Sequence, residues 1–354
     1  ERRASLKKVL LIEKTQGAGK KSAYLRAGAF AVDLKGLQLV ERAATQELTK
    51  NGPSEELSLM LAKAYLGAER FDRSREHLQE ALNKDKRCAV AMTLMGHNGY
   101  TENLCHKMRC DEKDNYSPPA IKEVIGWYEK ALQQRTPNID IVQYVRLSKL
   151  YLWTQKYYQA KDILLKACKL NPSTTTWLGL AISCYKQDEL DQAEEALSEA
   201  NILDPKNPEV WAMLCVVNIR QKRMEEGELS LQRALRLSMG TAETFPVDQF
   251  ILEQIGNLLF KEGRYSSAES AVQRALLSSQ HPHLHILLAR IYVEENDLPS
   301  ASHSYLSVAE EGSEAPAELK RHCLEQLIVL SQTLKRQGDI NKYNQMLHKL
   351  LAGA

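Results

Sequence analysis

The 354-residue sequence lacks an apolar run approaching the roughly 20 residues that a membrane-spanning helix needs. Its formal net charge is only +2, so no strong overall field attracts nucleic acid or a membrane surface. Its seven cysteines are an odd number at scattered positions, which argues against a disulfide framework and favours a reducing, intracellular compartment. The sequence begins at Glu1 without a methionine, so we expect it to be a fragment of a longer protein.

The sequence also lacks the patterns that carry catalysis or bind cofactors. No Ser/His/Asp or Cys/His set has an interpretable spacing. The stretch 17–22 resembles a phosphate-binding loop only in part, because Lys14 replaces the first glycine and no apolar strand precedes it. His281, His283 and His285 alternate, whereas two metal-binding histidines on a helix are four residues apart. We therefore predict no catalytic, cofactor-binding or metal site.

What the sequence does contain is a small residue that returns at a near-constant interval. The series is Ala160, Ala193, Gly227, Ala268 and Ala301, with intervals of 33, 34, 41 and 33 residues. A second series runs beside it: Ala167, Ala200, Ala234 and Ala275. Both fit a unit of about 34 residues, the length of a helix–turn–helix repeat. The turn-like stretch 240–246 supplies the seven extra residues of the longer interval.

Residues 174–207 show how one such unit is encoded. A first apolar stripe with helical spacing consists of Trp177, Leu180, Ala181 and Cys184. A second follows a polar turn and consists of Leu190, Ala193, Leu197 and Ala200. Pro205 then ends the second helix, since proline cannot continue it. Two antiparallel helices approach most closely at the small residues Ala181 and Ala193.

This pattern resembles the tetratricopeptide repeat family, whose signature positions here read Trp177, Leu180, Ala181, Cys184, Ala193, Leu197, Ala200 and Pro205. The resemblance implies an all-α, right-handed superhelical solenoid of antiparallel helix pairs with about eight or nine repeats. We expect a basic lead-in helix and glycine-rich linker over residues 1–20, followed by the solenoid over residues 21–354. Its units are expected at about 21–54, 55–88, 89–140, 141–173, 174–207, 208–241, 249–282, 282–315 and 317–354.

The unit 89–140 contains a long internal loop, residues 101–118. The loop contains Cys105, His106 and Cys110, which are three potential zinc ligands without the paired spacing of a four-ligand site. A mobile loop, a loop that docks a partner and a metal site all remain open for it.

In this family the first helix of each unit lines a concave groove, and several groove positions here are apolar. The resemblance implies a partner-binding set of Val145, Lys149, Leu152, Trp153, Leu178, Ile182, Tyr185, Val216, Ile219, Arg220, Asn257 and Arg290. We expect an amphipathic helix or an extended segment, from a partner or from a missing part of this protein, to fill the partly apolar groove. Alternatively, these side chains pack against the neighbouring helices of a tightly wound superhelix.

The expected function is therefore a non-catalytic scaffold that binds other proteins, with no nucleic-acid partner and no membrane insertion. The stretch 263–298 and the ending 344–351 also resemble the C-terminal repeat region of a ciliary protein. That resemblance implies a place in the axoneme of a cilium or flagellum, with axonemal complex subunits as partners. An adaptor subunit of a cytosolic transport or ubiquitin-ligase complex, and a substrate-presenting region of a larger enzyme, are the alternatives.

Overall fold

The computed structural model describes residues 54–103, 118–134, 140–238, 249–277, 280–310 and 315–352, together with residues 38, 41, 42, 44 and 49. Over these residues the regular structure consists of α-helices without strands. The all-α class is therefore confirmed. The expected lead-in over 1–20, nearly all of unit 21–54, most of loop 101–118 and the stretch 240–246 lie outside the described residues.

The chain divides into two compact units between Pro172 and Ser173. In the first unit, three helix pairs follow one another along the described chain. They are α1 (Glu55–Gly67) with α2 (Phe71–Lys84), α3 (Ala89–Asn103) with α4 (Pro118–Leu132), and α5 (Ile141–Trp153) with α6 (Tyr157–Leu170).

The second unit contains five helix pairs within its described residues. They are α7 (Thr174–Lys186) with α8 (Leu190–Leu203), α9 (Pro208–Arg220) with α10 (Met224–Ser238), α11 (Gln249–Lys261) with α12 (Tyr265–Leu276), α13 (Pro282–Glu294) with α14 (Leu298–Ala309), and α15 (Ala317–Thr333) with α16 (Gln337–Ala352). In both units each helix packs most extensively against the other member of its own pair.

Side-chain caps fix where several first helices begin. Ser54 accepts a hydrogen bond from the Leu57 amide at the start of α1, and Asn207 accepts from the Glu209 amide at the start of α9. Ser173 and Thr176 form a reciprocal capping box at the start of α7. Each cap satisfies backbone amides that the first helical turn leaves without partners.

The turn inside most pairs follows one backbone pattern. Seven turns contain a single residue with a left-handed φ between 57° and 72°: Glu69, Gln155, Asp188, Lys222, Gly263, Asn296 and Lys335. The amide of the residue after it bonds to a carbonyl five residues back, as from Glu189 to Cys184 at 3.0 Å. This is the hydrogen bond of a Schellman helix end, which ends the first helix and starts the reversal. Only one of the seven positions is glycine.

The series of small residues lies inside the pairs, as the sequence pattern predicts. Ala160, Ala193, Ala268 and Ala301 have no accessible surface. At Gly256 on α11, an added Cβ atom would lie 2.6 Å from Cγ2 of Val272 on α12. The close approach of the paired helices therefore depends on side chains of minimal size.

The long interval between Gly227 and Ala268 changes the packing of the second unit. After it, α11 packs far more extensively against α9 than against α10. At other junctions in this unit, such as α8 with α9 and α14 with α15, the second helix of one pair packs well against the first helix of the next. The helix α9, which carries three residues of the predicted groove, therefore packs directly against another first helix.

Candidate partner-binding faces

The first helices of successive pairs lie next to one another within each unit. We call the surface formed by α1, α3 and α5 the first-helix face of the first unit. The corresponding surface formed by α7, α9, α11 and α13 is the first-helix face of the second unit. Contacts between α1 and α3, α3 and α5, α7 and α9, α9 and α11, and α11 and α13 establish both arrangements.

In the first unit, the four sequence-predicted groove residues all lie on α5. Lys149 is exposed, whereas Val145, Leu152 and Trp153 are half-buried. Leu152 and Trp153 pack at the edge of the hydrophobic cluster that contains Leu147 and Leu150. This part of the predicted set keeps accessible surface, but two of its apolar members also belong to the core.

In the second unit, three apolar members of the predicted set are not available to a partner. Val216 and Ile219 are 0% and 1% exposed, and Leu178 is 8% exposed. Ile219 packs against α10, where a Cβ atom added to Gly227 would lie 2.9 Å from its Cγ1 atom. The prediction that Leu178, Val216 and Ile219 form an accessible groove is therefore wrong, and the alternative of packing against neighbouring helices describes them.

The remaining predicted residues of the second unit keep accessible surface. Ile182, Tyr185 and Asn257 are half-buried, and Arg220 and Arg290 are exposed. The first-helix face of the second unit is consequently more polar and more cationic than the sequence pattern suggests. No single sequence position reveals this, because the burial of a first-helix residue depends on how the neighbouring helices pack.

Two arginines on this face stack on aromatic rings of the preceding pair. The Arg220 guanidinium lies 5.6 Å from the centre of the Tyr185 ring, and one of its nitrogens lies 2.7 Å from the Asp188 carboxylate. The Arg290 guanidinium lies 4.7 Å from the centre of the Phe260 ring. Such cation–π contacts hold a guanidinium in place while its outer N–H groups still face solvent.

A buried polar network lies between α3, α4 and α5 in the first unit. His97 is 4% exposed and Arg146 is 5% exposed. Nε2 of His97 lies 2.9 Å from Oδ2 of Asp140, and Nη1 of Arg146 lies 3.0 Å from Nδ1 of His97. The Tyr128 hydroxyl lies 2.8 Å from the same Nδ1 atom. Because arginine can only donate, Nδ1 accepts and the proton of the neutral ring is on Nε2, where it is donated to Asp140.

The environment of this network shifts two pKa values. Burial, with the nearby Arg146 charge, lowers the pKa of His97 despite its hydrogen bond to Asp140. Burial alone would raise the pKa of Asp140, but the hydrogen bond from His97 and the backbone amide of Val142 lower it overall. The folded first unit therefore favours neutral His97 beside charged Asp140. His97 is the ninth residue of the first helix α3, the position that Lys149 occupies on α5. At this groove position the His97 ring is in contact with other side chains of the protein.

A recurrent hydrogen bond ties neighbouring pairs together and was not predicted from the sequence. Tyr65, Tyr151 and Tyr292 each occupy the eleventh position of a first helix. Their hydroxyls donate to Glu41, Glu129 and Glu269 at 2.8, 2.6 and 2.9 Å. Each glutamate precedes its tyrosine by 22 to 24 residues, a spacing that could have revealed the tie.

The possible metal ligands gain no support where the structure describes them. Over the described ranges, no group of three or more His, Cys, Asp or Glu side chains could hold a metal ion. His281 and His283 stack on each other, with ring centres 5.3 Å apart. Cys105, His106 and Cys110 lie outside the described residues. Among the described helices, none is both long and apolar enough to cross a membrane.

The helix pairs, their small-residue contacts and their first-helix faces define a tetratricopeptide repeat protein. Two solved structures support this fold. A tetratricopeptide repeat protein from Parabacteroides merdae superposes with a TM-score of 0.52 at 14% identity, covering 78% of this chain and 98% of that one. The APC/C hetero-tetramer Cut9–Hcn1 gives a TM-score of 0.51 at 16% identity, covering 82% of this chain and 52% of the matched one.

The chain belongs to the family of the Cilia and flagella-associated protein 70 C-terminal domain, whose model matches residues 113–324. Human Cilia- and flagella-associated protein 70 is 33% identical over 213 residues, which is 59% of this chain and 18% of the human protein. The Macaca fascicularis protein of the same name is 44% identical over 96 residues, which is 27% of this chain and 10% of that protein. The chain thus spans less than a fifth of the length of these relatives.

Proposed function

We propose that this chain is a non-catalytic scaffold of the cilium or flagellum that binds segments of axonemal proteins on its two first-helix faces. The observation that carries the proposal is the family match over residues 113–324, together with the names of the human and macaque relatives. Tetratricopeptide pairs give each unit an extended surface in which each pair contacts its neighbours, an arrangement suited to binding peptides.

The accessible surface of the predicted residues supports binding on these faces. In the first unit, Lys149 is exposed beside half-buried Val145 and Trp153. In the second unit, half-buried Ile182 and Tyr185 lie on α7. Each face therefore combines a partly accessible apolar contact with polar groups, which is how protein interfaces combine affinity and specificity.

The test is proximity labelling in ciliated cells with the full-length protein, followed by co-purification from detergent extracts. We expect axonemal subunits to be labelled and recovered. The double substitution Ile182→Asp with Tyr185→Ala should reduce recovery of at least one of them. Its matched control is Leu229→Asp with Tyr158→Ala, which changes exposed residues on the second helices α10 and α6.

Circular dichroism must show that both double variants retain their helical content and melt cooperatively. Labelling of cytosolic transport or ubiquitin-ligase subunits in place of axonemal ones would contradict the ciliary assignment. Equal recovery with both double variants would contradict binding on the first-helix face of the second unit.

A further inference from the structure

We infer that the first-helix face of the second unit binds an extended acidic peptide segment whose carboxylates pair with Arg220, Lys261 and Arg290. This inference rests on the proposed function, because it specifies the chemistry of the partner that the same face binds. In this unit, charge complementarity replaces the expected apolar contacts between the groove and an amphipathic helix or extended segment. Lys186, exposed at the end of α7, extends the same row of cations.

The buried and the exposed members of this face differ in chemical type. The apolar residues Leu178, Val216 and Ile219 are buried in the second unit. Arg220, Lys261 and Arg290 are exposed. A partner that approaches this face meets guanidinium and ammonium groups before it meets a continuous apolar surface, so carboxylates are the complementary groups.

Contacts between neighbouring pairs place these cations in one row. Arg220 on α9 reaches back to Tyr185 and Asp188 at the end of α7. Lys222, just after α9, pairs with Glu262, just after α11, with 2.6 Å between Nζ and Oε1. Together these contacts hold the ends of α7, α9 and α11 side by side.

The row continues to the next pair through an aromatic contact. Arg290 on α13 reaches back to Phe260 near the end of α11, directly beside Lys261. The four first helices therefore contribute one cation each: Lys186, Arg220, Lys261 and Arg290.

Two of the cations are positioned so that they can bind a carboxylate. Stacking on Phe260 covers one side of the Arg290 guanidinium and restricts its motion, so less freedom is lost when its edge pairs with a carboxylate. Arg220 already pairs with Asp188, but both side chains are exposed, at 41% and 73%. An exposed ion pair is stabilising by at most about 1 kcal/mol, so a ligand carboxylate can compete with Asp188.

The spacing of the helices sets the spacing of the ligand's charges. Packed helices lie about 8–10 Å apart, so three steps from α7 to α13 span roughly 24–30 Å. A peptide in the extended polyproline II conformation advances about 3.1 Å per residue, so about nine residues cover the row. This conformation has three residues per turn, so acidic residues at every third position place one carboxylate beside each cation.

Negative charges beyond Arg290 limit the length of the row of cations. Glu294 and Glu295 lie exposed at the end of α13 and would repel further carboxylates on the ligand. Acidic Asp188 and Glu262 also interrupt the cations. A segment with spaced acidic residues fits this alternation better than the continuous phosphate backbone of a nucleic acid, which cannot avoid the carboxylates.

The experiment measures binding of a synthetic peptide to the whole 354-residue chain by fluorescence anisotropy. The probe is a fluorescein-labelled peptide of about twelve residues, with glutamate at every third position and serine or glycine between them. A second peptide has glutamine in place of every glutamate. We expect the acidic peptide to bind more tightly than the glutamine peptide, and added salt to weaken its binding because salt screens exposed charges.

The double variant Lys261→Glu with Arg290→Glu should weaken binding of the acidic peptide at least about fivefold, because two favourable pairs become repulsive. The control double variant is Lys206→Glu with Arg233→Glu. It makes the same change in net charge. Arg233 also stacks on an aromatic ring, that of Trp211, at 4.3 Å, but Arg233 lies on the second helix α10. The control should bind the acidic peptide as the unchanged chain does.

Equal weakening by both double variants would overturn the inference, since only net charge would then matter. Tighter binding of a single-stranded RNA of equal length would also overturn it. In ciliated cells, loss of axonemal partners with Ile182→Asp and Tyr185→Ala, but not with Lys261→Glu and Arg290→Glu, would reject the acidic ligand and keep the scaffold function. Full retention of partners with both pairs of substitutions would reject the binding function of this face itself.

Discussion

The guanidinium of Arg146 lies 3.0 Å from Nδ1 of His97, and both side chains are buried in the first unit. This contact fixes the tautomer of His97 and directs its Nε2 proton to Asp140. The network also includes Tyr128, which has no accessible surface. Three helices thus meet at polar groups that are stable only while each retains its partners.

This network predicts that acid destabilises the first unit. Because the folded-state pKa of His97 is lowered, the unfolded chain takes up a proton below about pH 6.5 that the folded chain does not. Stability present above that pH is therefore lost as the pH falls through the folded-state pKa of His97, by up to about 1.4 kcal/mol per pH unit. Asp140, whose pKa is also lowered, adds a loss in the same direction at more acidic pH.

Thermal melts between about pH 7.5 and pH 5 can measure the His97 contribution separately from the other eight histidines. His97→Gln should lower the melting temperature at neutral pH and make it less dependent on pH. His283→Gln, which replaces an exposed histidine in the second unit, is the control for the substitution itself. An unchanged pH dependence in the His97→Gln variant would show that His97 does not titrate in this way.

A second prediction concerns Gly96 on α3. A Cβ atom at this position would lie 2.5 Å from Cε1 of the buried Tyr128 ring. Gly96→Ala should therefore destabilise the chain by roughly 1–3 kcal/mol, since an aromatic ring in a packed core cannot move aside freely. Chemical denaturation, followed by circular dichroism, measures the change.

The matched control is Gly126→Ala on α4, where an added Cβ atom meets nothing within 4 Å. There the substitution should stabilise the chain by about 0.5–1 kcal/mol, because alanine favours a helix interior over glycine. The two alanine substitutions should therefore have opposite signs, and a shared sign would contradict this account of Gly96.

A third prediction concerns the tyrosine–glutamate ties between pairs. Tyr151→Phe removes the donor to Glu129, a hydrogen bond of 2.6 Å. We expect a loss of roughly 0.5–1.5 kcal/mol in the free energy of unfolding, the usual contribution of an intramolecular hydrogen bond. Tyr292→Phe, which removes the donor to Glu269, should act similarly in the second unit.

Tyr158→Phe serves as the control for both tie variants, because Tyr158 is 79% exposed. Urea denaturation should show little change for this variant. A loss for Tyr158→Phe as large as that for Tyr151→Phe would mean that removal of a hydroxyl, not of the tie, causes the effect.

A fourth prediction separates two adjacent residues of the predicted groove. Ile219 is 1% exposed, so Ile219→Ala should cost about 2–5 kcal/mol of stability through lost packing and a residual cavity. Arg220→Ala should change stability far less, because Arg220 is exposed and its ion pair with Asp188 is solvated. Calorimetric melts of the two variants test this difference, and comparable losses in both would contradict the assignment of Ile219 to the core.

Much of the fold could be predicted from residue types at fixed spacings. Ala160 and Ala193 are 33 residues apart, as are Ala268 and Ala301, which matches one helix pair, and the structure buries all four completely. The pattern predicts the fold because a helix pair is encoded within about 34 consecutive residues. The two helices of a pair can approach closely only where one side chain is small. The division of the chain into nine units stays a prediction, and the structure describes residues 21–54 only in part.

The candidate site could be predicted only in part. The apolar residues Val216 and Ile219 occupy groove positions by sequence offset, yet they are buried. Ile219 packs against α10, and α9 also packs against α11, and an interval in the sequence does not specify which neighbour a helix will contact. The contact between Arg290 and Phe260 joins residues 30 positions apart, so no short stretch of the sequence predicts it.

The sequence alone determined that this protein is a series of antiparallel helix pairs, because helix periodicity, capping residues and small contact residues act over short stretches of chain. Only the tertiary structure decided which first-helix residues remain accessible and which pair with neighbouring helices. The physical reason is that burial depends on the docking of whole helices, to which residues from several pairs contribute together. That docking leaves the second unit with exposed cations where the sequence pattern suggested an apolar groove.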